Sequence, residues 1–458
     1  MAHPEPLPLS REDAELRAAA IRPVVSAGRR FWLVAGALAL VFAGGVGAFV
    51  YQLANGLAVT GLNDQVFWGI YTASLVTFIG FSYGGALVSA VLRLTNASWR
   101  GPVSRIAEAT ALATILIGAL FPIIHLGRPE RFWELFARPQ IQSPIFWDMV
   151  AIVTYLAATI VLFSLPLIPD LAAVRDDARL GRWRRRAYGL LALGWAGTPD
   201  QRRILDRALT ALAILIVPLA VVVHTVLSYA FSLTSRPGWH STIFGPYFVI
   251  GAIYSGVAVV ILAALAYRRV YHLERWIDDR SIRNLAYVMV ALGVAYAYST
   301  FSEITTEGFV GEQADVDLLF GLMLARYAPL FWTFVVAGVV LPVALVALPR
   351  TRTASGIGIA AALVVIAMYI KRFLIVVSPQ TRPVVAGELG AYVPSWVELT
   401  IVVGAAAGIV LIVMLLFRLV PVLSIDEMEA IERERATVSD TADRPVAGLH
   451  VPARGVSR

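Results

Sequence analysis

The chain alternates long apolar runs with short polar, arginine-bearing breaks, and most of the runs lack the polar stripe of an amphipathic core helix. About 20 residues rising 1.5 Å each cross the hydrocarbon of a bilayer. Ten runs meet that length, at roughly 31–52, 66–92, 104–125, 144–167, 208–232, 243–267, 284–304, 328–348, 357–377 and 396–420. The pattern predicts an all-α integral membrane protein with about ten transmembrane helices. The first run follows a polar leader of thirty residues and lacks a small-residue cleavage site, so it reads as a retained helix rather than a signal peptide. The segments before Arg29 and after Ser424 are polar, and the last twenty residues or so are expected to be disordered or partner-bound.

An internal repeat changes ten independent spans into two related halves. Arg105 precedes His125 by twenty residues, and Arg283 precedes Glu303 by twenty. The next run opens Pro144-Ile145-Phe146-Trp147-Asp148 in one half and Pro329-Leu330-Phe331-Trp332-Thr333 in the other, while Gly69-Ile70-Tyr71 and Gly251-Ala252-Ile253-Tyr254 mark the preceding runs. Equivalent runs lie four crossings apart and keep one orientation, so the repeats are parallel. The expected organisation is a leader (1–30), a peripheral helix with its loop (31–65), a first four-helix bundle (66–232), a second (243–377), a peripheral tenth helix (396–423) and a tail (424–458).

Composition and charge narrow the class. Of 458 residues 58% are hydrophobic and 15% charged, with mean hydropathy +0.73, more apolar material than a soluble core uses. The net charge of +7 does not point to nucleic acid, because the arginines sit in short loops. Thirty Lys or Arg fall on one set of loops and termini against six on the other. This bias places both termini in the cytoplasm. The loop from Asp170 to Arg207, with Arg182, Arg184, Arg185 and Arg186, is expected to touch anionic lipid. No cysteine is present, so disulfides, thiolate-bound clusters and cysteine-attached haem are excluded from this chain, which carries no covalently bound cofactor. No nucleotide-binding or paired-cysteine metal motif occurs, and no metal ligand set is assigned.

Ionisable groups inside apolar runs are costly and are functional candidates. His125 ends the third run and Asp148 lies one turn into the fourth, so a short loop makes them neighbours. An imidazole facing a carboxylate could accept the two protons released when a quinol is oxidised. The bland alternative is a helix-end histidine bonded to a carbonyl and an aspartate capping its helix. His224 must face protein, as a third pocket wall, a buried hydrogen-bonded histidine or a haem ligand. Asp64, Arg236, His240 and Arg382 lie in the outer loops, as ligand contacts or solvated charges. Lys371 and Arg372 either snorkel outward or, for Lys371, join Glu303, Tyr296 and Tyr298 in a polar track. Glu108 with Tyr83 and Tyr155 could form a comparable proton track in the first bundle.

The string His125-Leu126-Gly127-Arg128-Pro129, then Arg131-Phe132-Trp133 and Ser143 through Asp148, resembles the NrfD/PsrC family of quinone-interacting membrane subunits. With His224 through Ser228, Pro237 through Thr242 and Tyr369 through Phe373, the chain looks most like the ActC-type subunits of bacterial alternative complex III. The resemblance implies a menaquinol site near the periplasmic face of the bacterial inner membrane, with His125 and Asp148 as quinol contacts and proton acceptors. His224, Arg382 and Asp64 are further candidates. It also implies a periplasmic ActB-like iron-sulfur subunit, a homologous ActF-like membrane subunit and multihaem cytochrome c partners. Competing classes are a quinone-reducing or ActF-like anchor or proton-conducting subunit of a related molybdopterin-type oxidoreductase complex, a secondary transporter, disfavoured by parallel repeats without paired midplane breaks, and a b-type cytochrome, disfavoured because His125 and His224 lie near one face.

Overall fold

The computed structural model describes residues 11–97, 99–177, 179–383 and 388–429; the tail expected to be disordered lies outside these. Among the described residues ten helices are long and apolar enough to span a membrane: α1 (Arg29–Asn55), α2 (Ile70–Leu94), α3 (Arg100–His125), α4 (Pro144–Ser164), α5 (Pro199–Ser232), α6 (Phe244–Tyr271), α7 (Asp279–Val310), α8 (Ala328–Ala347), α9 (Ala354–Thr381) and α10 (Trp396–Leu419). No strand occurs among the described residues. In hydrocarbon a helix satisfies its own backbone groups, which is why apolar runs of this length adopt it.

The helices pack in two closed rings. Helices α2, α3, α4 and α5 each touch their sequence neighbours and α5 returns to α2; α6, α7, α8 and α9 do the same, with α9 returning to α6. The rings join through α2 against α6 and α9, and α5 against α6, while α1 and α10 pair with each other and α10 lies on α3. Position follows burial: 94% of the most apolar stretch of α2 is covered by protein against 17% for α1. At the seam Gly84 of α2 meets Gly256 of α6 so closely that a Cβ on Gly84 would stand 2.3 Å from the Gly256 Cα. Small residues let helix backbones approach, the main packing device where lipid offers no hydrophobic drive.

Two prolines shape the helices. Pro342 has no N–H for the carbonyl of Gly338, four residues back, and the α8 backbone widens into a π turn over Val336–Val340. The freed Gly338 carbonyl accepts a hydrogen bond of 2.5 Å from the Tyr254 hydroxyl of α6. Pro122 interrupts α3 in the same way, and the separate turn Phe121–His125 follows the break.

Several segments that read as polar connections are structured. Residues Arg11–Val25 of the leader form a helix that buries Leu16, Ala20, Ile21 and Val24. The stretch Asp170–Arg207 is not one loop: it holds the end of a buried helix (Leu167–Arg175), an amphipathic helix (Arg182–Leu191) and the first turns of α5, which starts at a Thr198/Gln201 capping box. Arg105, counted among the loop arginines, is fully buried, 2.6 Å from Asp170. Loop-charge counting cannot separate such a paired arginine from one that faces water.

Candidate functional site

Helices α2, α3, α4 and α5 enclose a cavity of about 520 Å³ at the end of the bundle where His125 lies. Its wall is mainly apolar and aromatic, including Trp68, Tyr71, Phe121, Leu227 and Phe231, and its polar groups are few: Thr72, His125, Asp148, and Arg128, Arg131 and Glu134 of the segment between α3 and α4. Pockets of this size, apolar with a few convergent polar groups, are the usual form of small-molecule sites.

Each polar group is placed by local sequence chemistry. The Pro122 break sets the last turn of α3, which carries His125 to the cavity. Pro144 opens α4 with Ser143 at its N-cap position, so Asp148 sits on the second turn, 4% exposed, and does not cap the helix. One oxygen of Asp148, Oδ1, and His125 Nδ1 are buried without a hydrogen-bond partner, so neither polar atom is taken up by the backbone. Such orphaned groups cost about 1–3 kcal/mol each unless something supplies a partner. On the rim Arg131 donates two hydrogen bonds of 2.8 Å to Glu134. Those bonds hold the Glu134 carboxyl below its ordinary range.

Two residues that the sequence did not single out hold the wall in place. Gln52, the one amide within the apolar face of α1, donates to the Ile124 carbonyl at 2.9 Å and accepts from the Tyr71 hydroxyl at 2.5 Å. Tyr71 in turn lies edge-on to the His125 ring, 6.3 Å between centroids. Gln380 uses its whole amide: Oε1 accepts from the backbone N–H groups of Phe67 and Trp68, and Nε2 donates to the Trp68 and Val376 carbonyls. A glutamine inside an apolar run is the available signal for Gln52, whereas Gln380 stands in the polar stretch Ser378–Arg382 and offers none.

Other expected site residues fall elsewhere. His224 is 1% exposed but does not line the cavity; its ring lies 4.9 Å from Tyr83, edge-on, and neither nitrogen has a partner. Asp64 is exposed in the loop before α2 and is not part of the wall. Arg382 pairs with Asp317 at 3.0 Å, beside the other ring of helices, and is also absent from the wall. Trp68, Arg128 and Arg131 take their places at the cavity.

Behind the cavity Tyr83 packs on Tyr155 at 4.3 Å, and the Tyr155 hydroxyl lies 3.1 Å from Ser82. Glu108 lies farther along α3, accepting 2.7 Å from Ser89, with Arg105 at 3.8 Å. In the second ring Lys371 lies 3.7 Å from Glu303 and faces the Tyr247 ring, and Tyr247 bonds Thr300 at 2.7 Å. Lys371 and Arg372 are 3% and 4% exposed, so neither snorkels outward. Tyr298 is 70% exposed and leaves this cluster; Tyr247 stands there instead.

Among the described residues, ten membrane-length helices with an apolar cavity and unpaired acid-base groups between them define a multi-pass helical membrane protein with a built pocket. The chain belongs to the NrfD family: the family model described as polysulphide reductase, NrfD, matches residues 58–384. It is similar to a protein of Halobacterium salinarum named as a membrane subunit of a dimethyl sulfoxide reductase, 27% identical over 73% of this chain and 74% of the relative. A menaquinol oxidoreductase integral membrane subunit of Archaeoglobus fulgidus, described as Hdr-like, is 25% identical over 84% of this chain and 92% of its own. A protein of Mesobacillus selenatarsenatis named as a subunit of selenate reductase is 24% identical over 47% and 52%.

Proposed function

We propose that this chain is the quinone-reactive membrane subunit of a respiratory or photosynthetic electron-transfer complex, and that it oxidises menaquinol in the cavity beside His125 and Asp148. The observation that carries this reading is the convergence of an imidazole and a carboxylate, each with an unpartnered buried atom, on one apolar cavity. A quinol has an apolar body and two hydroxyls. The cavity's aromatic wall suits the body, and the two orphaned acceptors suit the hydroxyls. Oxidation to the quinone releases two protons and two electrons. In this reading the protons pass to His125 and Asp148, and the electrons leave to an iron-sulfur cluster in a partner subunit, this chain having no cysteine to hold one.

The relatives' names support the class, since one is a menaquinol oxidoreductase integral membrane subunit and the other two are subunits of reductases. The particular complex we favour is alternative complex III, with this chain in the ActC-type position beside ActB-like, ActF-like and multihaem cytochrome c partners. The support is the motif set around His125, His224 and Lys371. We further read the two rings as duplicated halves, the first holding the quinol site. Both termini then face the cytoplasm, and the cavity opens toward the periplasmic side.

The decisive test uses the assembled complex. Asp148→Asn and His125→Ala should each lower quinol oxidation by about 10² to 10⁴, the usual contribution of a positioned acid-base group, with the complex still fully assembled. Normal turnover by a fully assembled Asp148→Asn complex sinks the proton-acceptor assignment.

A further inference from the structure

The amphipathic helix Arg182–Leu191 has a basic face that the quinol reading leaves unused. Its depth is fixed by two contacts. Tyr188 donates a 2.8 Å hydrogen bond to the carbonyl of Leu419, the last residue of α10, and Arg184 donates at 2.9 Å to the Val24 carbonyl. The helix therefore lies level with the end of a transmembrane span, where hydrocarbon gives way to headgroups.

Around this axis the side chains sort into three faces at 100° per residue. Arg184 and Tyr188 dock on the protein. Next come Trp183, Leu190 and Leu191, which are 82%, 78% and 57% exposed. Beyond them Arg182, Arg185 and Arg186 join Arg175, Asp176 and Leu180 around a cavity of about 470 Å³. Its charge is unbalanced. Arg175 is neutralised by Asp176 through hydrogen bonds of 2.7 and 3.0 Å, and nearby Asp177 is occupied by Arg179. Arg185 donates only to the Asp177 backbone carbonyl, and Arg182 and Arg186 have no hydrogen-bond or ion-pair partner among the described residues.

We propose that this cavity is a binding site for an anionic glycerophospholipid. The phosphodiester sits among Arg182, Arg185 and Arg186, and the acyl chains run down beside Leu190 and Trp183. A cationic cavity and an exposed apolar strip on one helix at the membrane boundary match the two ends of one lipid. Free phosphate would use the arginines but leave the apolar strip in water, and a soluble acidic protein would leave it likewise.

Native mass spectrometry of the purified full chain tests this with phosphatidylglycerol, phosphatidylcholine and inorganic phosphate as probes. Phosphatidylglycerol should be retained, with affinity falling about fivefold for each arginine removed in single and triple Arg182, Arg185 and Arg186→Gln variants, the effect expected for one basic residue at an anionic surface. The triple Arg→Lys variant should keep most of the binding, and Trp183→Ala should weaken it without changing its dependence on salt. If the triple variant fails to fold, the salt dependence of phosphatidylglycerol retention by the unaltered chain decides. Equal retention of phosphatidylcholine, competition by millimolar inorganic phosphate, or binding indifferent to salt each overturns the proposal.

Discussion

At the residue scale, the cavity depends on side chains outside its wall as much as on those that line it. Gln380 satisfies two N–H groups and two carbonyls at once, and through them fixes Trp68 in the cavity wall. Gln380→Leu would remove both bonds from the part-buried Phe67 and Trp68 amides, at about 0.5–1.5 kcal/mol for each. The expected outcome is a raised KM for quinol with a smaller change in kcat, measured on assembled complex; a pure loss of kcat would show that Gln380 does not act through the wall. The rim pair gives a pH prediction with a definite sign. Arg131 holds the Glu134 carboxyl below its ordinary range, so the pair is formed at neutral pH and is lost only as pH falls through that lowered value. Between pH 6 and 8 Glu134 is ionised throughout. Glu134→Gln should therefore leave any inflection of quinol oxidation in that window where it is, and movement of the inflection would assign it to Glu134 instead.

At the element scale, α8 and α6 are joined by a bond that exists because of a proline. Pro342 frees the Gly338 carbonyl, and Tyr254 fills it. Tyr254→Phe should destabilise the chain by about 1–3 kcal/mol, whereas in a Pro342→Ala background, where the helix can recover its own bond, the same change should cost clearly less. A double-mutant cycle on detergent-solubilised protein reads this coupling, and additive effects would mean that the π turn has another cause. Elements also show where sequence reading stops. The ten spans are visible because uninterrupted apolar runs have one solution in lipid, and Asp148 and His125 stand out because charge inside such a run is rare. Gln52 escapes notice because one neutral amide barely alters hydropathy, and Gln380 because it stands among the polar residues that follow a run. The helix Arg182–Leu191 reads as loop because four arginines in ten residues depress any apolar signal, although Trp183, Leu190 and Leu191 share one side of it. Asp64 and Arg382 group with the site in the sequence because loops at one membrane face cannot be assigned to one ring or the other without the packing of the helices.

At the scale of the whole molecule, the basic end is a fastened structure rather than a set of loops. Arg105 and Asp170 pair in full burial, Arg100 bonds Glu427 at 2.8 Å, Arg17 bonds Glu429 at 2.7 Å, and Asp426 donates its backbone N–H to Asp170. Removing one partner of a buried pair typically costs about 3–5 kcal/mol, while replacing both by apolar groups can be nearly neutral. Arg105→Met alone should thus lower thermal stability sharply, and Arg105→Met with Asp170→Leu should recover much of it; equal loss in both would mean that the other ligands of Asp170 dominate. The meeting of Gly84 with Gly256 has a different consequence. Where two backbones touch, no water file can thread between them, and a proton has no carrier. At that contact the two rings are sealed against each other. One turn away Arg372 lies against Gly80 and donates to Ser255 at 2.7 Å, tying α9 to α6 beside the same seam. A side chain larger than hydrogen at either glycine would wedge the two rings apart, so backbone touching backbone sets the distance between them.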